Sequence, residues 1–203
     1  MTKLKRSSSM RAPRNMQDTV YIQKILASGQ SAKQKAATAF SGLSETQINW
    51  KPSADSWSIA QCLEHLMIAD ACYFPVFEKI MAGHYKISFW EKYSPFTALC
   101  GRLLKNQLRE EVKRKMIAPK KIRPAFQHKL DGFISEYLDN LSRFLAYIEN
   151  CAHADPDKII LTSPTIPIVT YSLRDALQFL VQHEHRHINQ AIRVKQHASF
   201  PAL

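Results

Sequence analysis

The chain of 203 residues suits one domain of the usual ~100–200 residues, and its 45% apolar content is enough for a core and excludes global disorder. It has 5 glycines, no stretch near the ~20 apolar residues of a membrane helix, and an opening, MTKLKRSSSMRAPRN, without an apolar signal region; together these predict a helical, cytoplasmic protein. The formal charge of +11 is unevenly spread: residues 1–15 carry Lys3, Lys5, Arg6, Arg11 and Arg14 without an acid, and residues 102–123 carry nine cations against Glu110 and Glu111.

The remaining body is nearly neutral, and it is expected as one domain over 16–203 behind a disordered basic tail over 1–15. Basic runs attract anions, nucleic acid or acidic membranes. No aromatic residue interleaves 102–123, which argues against single-strand binding, so a solvated helix face is the plainer expectation. Neither nucleic acid nor a membrane is expected as a partner. Cys62, Cys72, Cys100 and Cys151 form no Cys-x-x-Cys pair, lie in apolar helical stretches and read as reduced thiols.

In chain order, Val20, Ile22, Ile25, Leu26, Ala32, Ala36 and Phe40 predict a first helix over about 16–41, ended by Gly42. A linker with Pro52 follows. Ser58-Ile59-Ala60-Gln61 reads as a capping box that opens a second helix reaching Gly83, kinked rather than ended by Pro75. Ser94-Pro95 suggests the start of a helix over about 95–116, and a long helix is predicted over about 125–152. Residues 155–171, with Pro156, Pro164 and Pro167, form an extended connection, and no alternation there is strong enough to seed a sheet. Ser172-Leu173-Arg174-Asp175 opens the last helix, to about 197. The fold class is therefore all-α: a four-helix bundle with an extra helical segment between the second and third core helices.

The last helix carries the chemistry. Its heptad stripe runs Leu173, Ala176, Leu180, His183, His187, Gln190 and Val194, which puts two imidazoles on one interior-facing side. Buried imidazoles need a partner for each nitrogen, and a shared metal supplies one to both. The alternative is a pair of core histidines hydrogen-bonded to Gln190. Of His65, His84, His128, His153 and His197, His65 is the best third ligand on burial grounds, because it lies within the second helix. His185 should point to the surface. Cys62 and Cys72 flank His65 in sequence but read as small hydrophobes.

His183-Glu184-His185-Arg186-His187 also matches H-E-x-x-H, the zinc-protease helix whose Glu is the general base. The extended protease form needs Gly and His where this chain has Gln190 and Arg193, and little chain follows to supply another ligand.

Trp57-Ser58-Ile59-Ala60-Gln61-Cys62-Leu63-Glu64-His65-Leu66 resembles the W-S-I-x-x-x-L-x-H-L signature of DinB-like proteins. His183 through Gln190 is similar to that family's H-x-x-R-H-x-x-Q closing helix. The resemblance, over roughly 16–197, implies a bundle of the DinB/YfiT type, often homodimeric, with a divalent metal on His65, His183 and His187. It also implies relatives that transfer low-molecular-weight thiols, alongside members with no assigned reaction.

Three histidines leave coordination positions open, as catalytic metals require. The expected function is a metal-dependent transferase joining a low-molecular-weight thiol to an electrophile. A hydrolase built on the same site and a non-catalytic, metal-stabilised binding module are the alternatives. Zinc and nickel suit imidazole best, with iron and manganese as further candidates. Gln190 and Arg186 are expected to support the metal site or contact substrate.

Overall fold

The computed structural model describes residues 16–107, 118–124 and 132–202. It is mostly helical, as the composition predicts. The long helices are α1 (Met16–Phe40), α3 (Ile59–Met81), α6 (Phe133–Asn150) and α7 (Leu173–Lys195). Shorter ones are α2 (Glu45–Asn49), α4 (Phe89–Tyr93) and α5 (Thr97–Gln107). Helix α3 packs on α6 and α7, and α1 packs on the same two from the other side.

Local chemistry sets the boundaries. Ser58 caps α3 by accepting from the Gln61 amide, and the Gln61 side chain returns to the Ser58 amide, so two orphan donors are satisfied. Ser172 caps α7 in the same sense through the Asp175 amide. Pro75 lies inside α3 without ending it. Gly42 and Gly83 adopt positive φ just past α1 and α3, where a side chain would be strained. Gly29 has a different role: a Cβ there would collide with Leu145 Cδ2, so its absence lets α1 approach α6 closely.

Between the long helices lie Ala32, Ala36, Leu63, Leu66, Leu141, Phe144, Ile148, Leu177 and Ile188, all buried. Each Leu or Phe sequestered this way contributes roughly 1.5–3 kcal/mol of transfer free energy.

Several expectations are corrected. The connection after α6 does hold a sheet: β1 (Ile160–Thr162) pairs antiparallel with β2 (Thr170–Ser172), Leu161 opposite Tyr171. Strands of three residues are too short for a period of two to register. The linker after α1 contains α2, and the region before Pro95 contains α4. The helix expected from 95 begins at Thr97, and Ser94 is instead the C-cap residue of α4. Residues 108–116 and 125–131 of the predicted helices, and the basic tail over 1–15, lie outside the described residues.

Candidate metal centre

Helices α3 and α7 lie side by side and bring together three imidazoles from distant parts of the chain. His65, His183 and His187 are all buried, and one ligand nitrogen from each falls within 4.8 Å of the others. Their ring centroids are 4.6–4.9 Å apart, each pair nearly perpendicular. Four-residue spacing on one helix face gives the His183–His187 pair, and the α3–α7 contact adds His65.

The outer nitrogens are already held. His65 Nδ1 donates to the Ile122 carbonyl at 2.6 Å, in the 3-10 turn Lys120–Ile122 that closes over α3. His187 Nδ1 donates to Gln190 Oε1 at 3.0 Å. These bonds fix the tautomers and leave Nε2 of both rings as bare lone pairs. His65 Nε2 lies 3.1 Å from His183 Nε2. Two nitrogens bound tetrahedrally at ~2.0–2.1 Å from a zinc ion lie about 3.3 Å apart, so the spacing suits a shared cation.

The electrostatics agree. Burial lowers the pKa of all three histidines. Neighbouring imidazoles lower His183 further, and His187 is brought to about 3 by burial, His65 and Arg186. The rings are therefore neutral near pH 7, the form that binds metal. Donor type, tautomer and spacing fit a divalent transition metal.

Trp57, immediately before the α3 cap, covers the cluster. Its ring stacks on His187 at 5.6 Å and tilts against His65 at 4.9 Å. Neither Trp57 nor the Ile122 carbonyl was picked out by sequence reasoning: a backbone oxygen carries no side-chain signal, and Trp57 registers only as part of a motif.

On one side the cluster borders a cavity of about 870 Å³, within the range of small-molecule sites. Part of the predicted stripe of α7 lines it, namely Leu180, His183, His187, Gln190 and Val194, of which Leu180 and Val194 also belong to the buried core. Arg186 is half-buried and lines the cavity too. His185, expected at the surface, is half-buried against α1, where Nε2 meets Ser28 Oγ at 3.0 Å. His84, His153 and His197 are exposed and take no part in the cluster; His128 lies outside the described residues.

Glu184, the would-be base of H-E-x-x-H, is turned the other way. It is fully buried, accepts from Tyr137 of α6 at 2.7 Å, and faces Asp70 of α3, itself held by Asn140 at 2.9 Å. Burial raises the pKa of both carboxyl groups. Glu184 does not line the cavity, which removes the general base that a protease of that type needs. Cys62 is buried and burial raises its pKa, as for an inert hydrophobe, and the four cysteines are free thiols.

The DinB superfamily matches residues 30–191. The chain is also 28% identical over 156 residues to YuaE of Bacillus subtilis (strain 168), a protein that is itself uncharacterised, covering 76% of this chain and 87% of that one. No solved structure matches. The family match spans most of the chain and includes all three histidines, so the chain belongs to the DinB superfamily.

Proposed function

We propose, from this membership and the cavity beside the histidines, that the chain is a metal-dependent transferase of the four-helix-bundle DinB type. It would hold one divalent transition metal on His65, His183 and His187 and act on a low-molecular-weight thiol and an electrophile. Zinc and nickel are the best matches to three imidazoles, ahead of iron and manganese. The carrying observation is that three convergent imidazoles form part of the wall of a cavity of about 870 Å³. A structural metal site is closed by a fourth side chain, whereas one facing a cavity can accept a substrate.

A metal held there would supply a Lewis acid that lowers the pKa of a thiol or water. The chain's own residues do the rest. Ile122 and Gln190 orient two of the imidazoles, and Trp57 shields them from solvent. Gln190 also lines the cavity, so its amide nitrogen is available to substrate. Asp55, an exposed residue, is the one carboxylate among the described lining residues. That favours thiol transfer over hydrolysis: a thiol needs only deprotonation, while hydrolysis gains from a buried general base.

The test is to load the purified protein with zinc or nickel and incubate it with L-cysteine or glutathione and an aryl halide or epoxide. Product is read by mass spectrometry. Conjugation above the uncatalysed rate, lost in a His183→Ala, His187→Ala variant, is the expected result. Metal-dependent ester hydrolysis without thiol would favour the hydrolase, and no turnover with either would leave a binding module.

A further inference from the structure

The cavity is chemically divided along its length. Helices α3 and α7 run in opposite directions past it, since Trp57 meets His187 while Tyr73, sixteen residues later, meets Phe179, eight residues earlier. Its lining can therefore be ordered along α7 by the rise of ~1.5 Å per residue. On the N-terminal side of the histidines the wall is mostly apolar, built from Phe179, Leu180, Tyr73, Leu104 and Val169, with the Ser163 hydroxyl beside Tyr73. Further along α7 it is basic: Arg186, set between the two α7 histidines, and Arg193, beyond them, are seven residues apart and so on one face, and both line it.

Arg123 lines the same cavity, its Nε donating to the Ala118 carbonyl at 3.0 Å. Among the described lining residues, three guanidinium groups thus face one space with one carboxylate, that of the exposed Asp55. The planar fork of guanidinium matches a carboxylate in two parallel hydrogen bonds, which favours a carboxylate over a spherical anion.

We propose that the cavity binds a carboxylic acid with an apolar body, the carboxylate on Arg186 and Arg193 and the body against Tyr73, Phe179 and Leu180. Phe179 and Arg186 are seven residues apart, roughly 10 Å along the axis, which a medium-chain or aryl-substituted acid can span. Bound this way, the ligand passes His183, which lies between those ends, and its carboxylate end sits beside His187, next to Arg186 in the chain. The inference rests on the proposed transferase reading only in taking this cavity as the substrate space; the binding claim itself needs no metal.

Isothermal titration of the full chain, metal-free and zinc-loaded, against octanoate, hexanoate, octanol and octylammonium tests it. Octanoate is expected to bind both forms and octylammonium neither. Affinity should rise about fourfold per methylene from hexanoate to octanoate, the increment for burying a CH2 group. Arg186→Gln with Arg193→Gln should weaken octanoate at least roughly tenfold, the loss of one charge-assisted hydrogen bond. Arg193→Gln alone, at an exposed position, gives the same sign should the double variant not fold. Equal binding of octanol and octanoate would overturn the proposal, as would an Arg-insensitive octanoate site that needs zinc. Arg-dependent octanoate binding in a protein that takes up no metal would keep this inference and sink the metal reading instead.

Discussion

His65 Nε2 and His183 Nε2 face each other at 3.1 Å across the contact of α3 and α7, although 118 positions separate the two residues. The His65 tautomer is fixed by the Ile122 carbonyl, so its Nε2 has no proton to offer. Two facing nitrogens then need either a proton from His183 or a cation between them. The pair exists only when α3 and α7 are docked, so whatever binds there stabilises the docked state.

Metal removal should therefore lower stability. At a free metal concentration 100 times Kd, binding adds about 2.7 kcal/mol. For a chain of this size each kcal/mol moves Tm by roughly 2–4 °C. Calorimetry before and after chelation should show a fall of roughly 5–10 °C, reversed by zinc or nickel. An unchanged Tm would count against a metal linked to folding.

Gln190→Leu removes the acceptor of His187 Nδ1 without touching the proposed ligands. Loss of such an outer partner is expected to weaken metal affinity about 10- to 100-fold. A competition titration with a chromophoric chelator measures it. The far-ultraviolet circular dichroism should not change, because Gln190 is only half-buried.

The metal-free protein should lose stability in acid through its histidines. Burial lowers His65, His183 and His187 below their unfolded value of 6.5, and His187 reaches about 3. Below pH 6.5 the unfolded chain binds protons that the folded chain refuses, so stability is full above 6.5 and declines from there toward pH 3. Urea midpoints across that window should fall for the wild type. They should fall less for His187→Gln, which does not titrate.

The buried carboxyl pair works with the opposite sign. Burial holds Glu184 above its ordinary 4.5, up to about 8, and raises Asp70 as well. The folded chain keeps protons that the unfolded chain releases, so this contribution is present below pH 4.5 and is lost as pH rises toward 8. Glu184→Gln should consequently gain on the wild type between pH 5 and pH 8. Tyr137→Phe, which removes the hydrogen-bond donor of Glu184, should cost about 1–3 kcal/mol in denaturant unfolding at pH 7.

Legibility followed length and side-chain identity. Helices α1, α3 and α7 announce themselves through many turns of apolar spacing and, for α3 and α7, through the caps Ser58 and Ser172. The short α2 and α4 went unread although each opens on a capping box, Ser44 with Gln47 and Ser88 with Glu91. Five residues are too few for periodicity, and the box alone had to carry the signal. The histidines stood out because imidazoles in an apolar stripe demand partners. Glu184 is legible as part of the H-E-x-x-H match, but its burial away from the histidines is not: its stripe, with Ile188 and Ala191, is a second buried face of α7, and a heptad reading admits only one. The cavity was beyond reach, since its walls come from α3, α5, α7 and the segments over 52–57, 118–124 and 163–169.

The most direct test of the central claim is the metal content of protein purified without an affinity tag, measured by plasma mass spectrometry beside a His183→Ala, His187→Ala variant. About one divalent transition metal per chain, missing from the variant, is the predicted result. A metal-free wild type that also refuses added zinc and nickel would contradict it, and His65, His183 and His187 would then be no more than packed core residues.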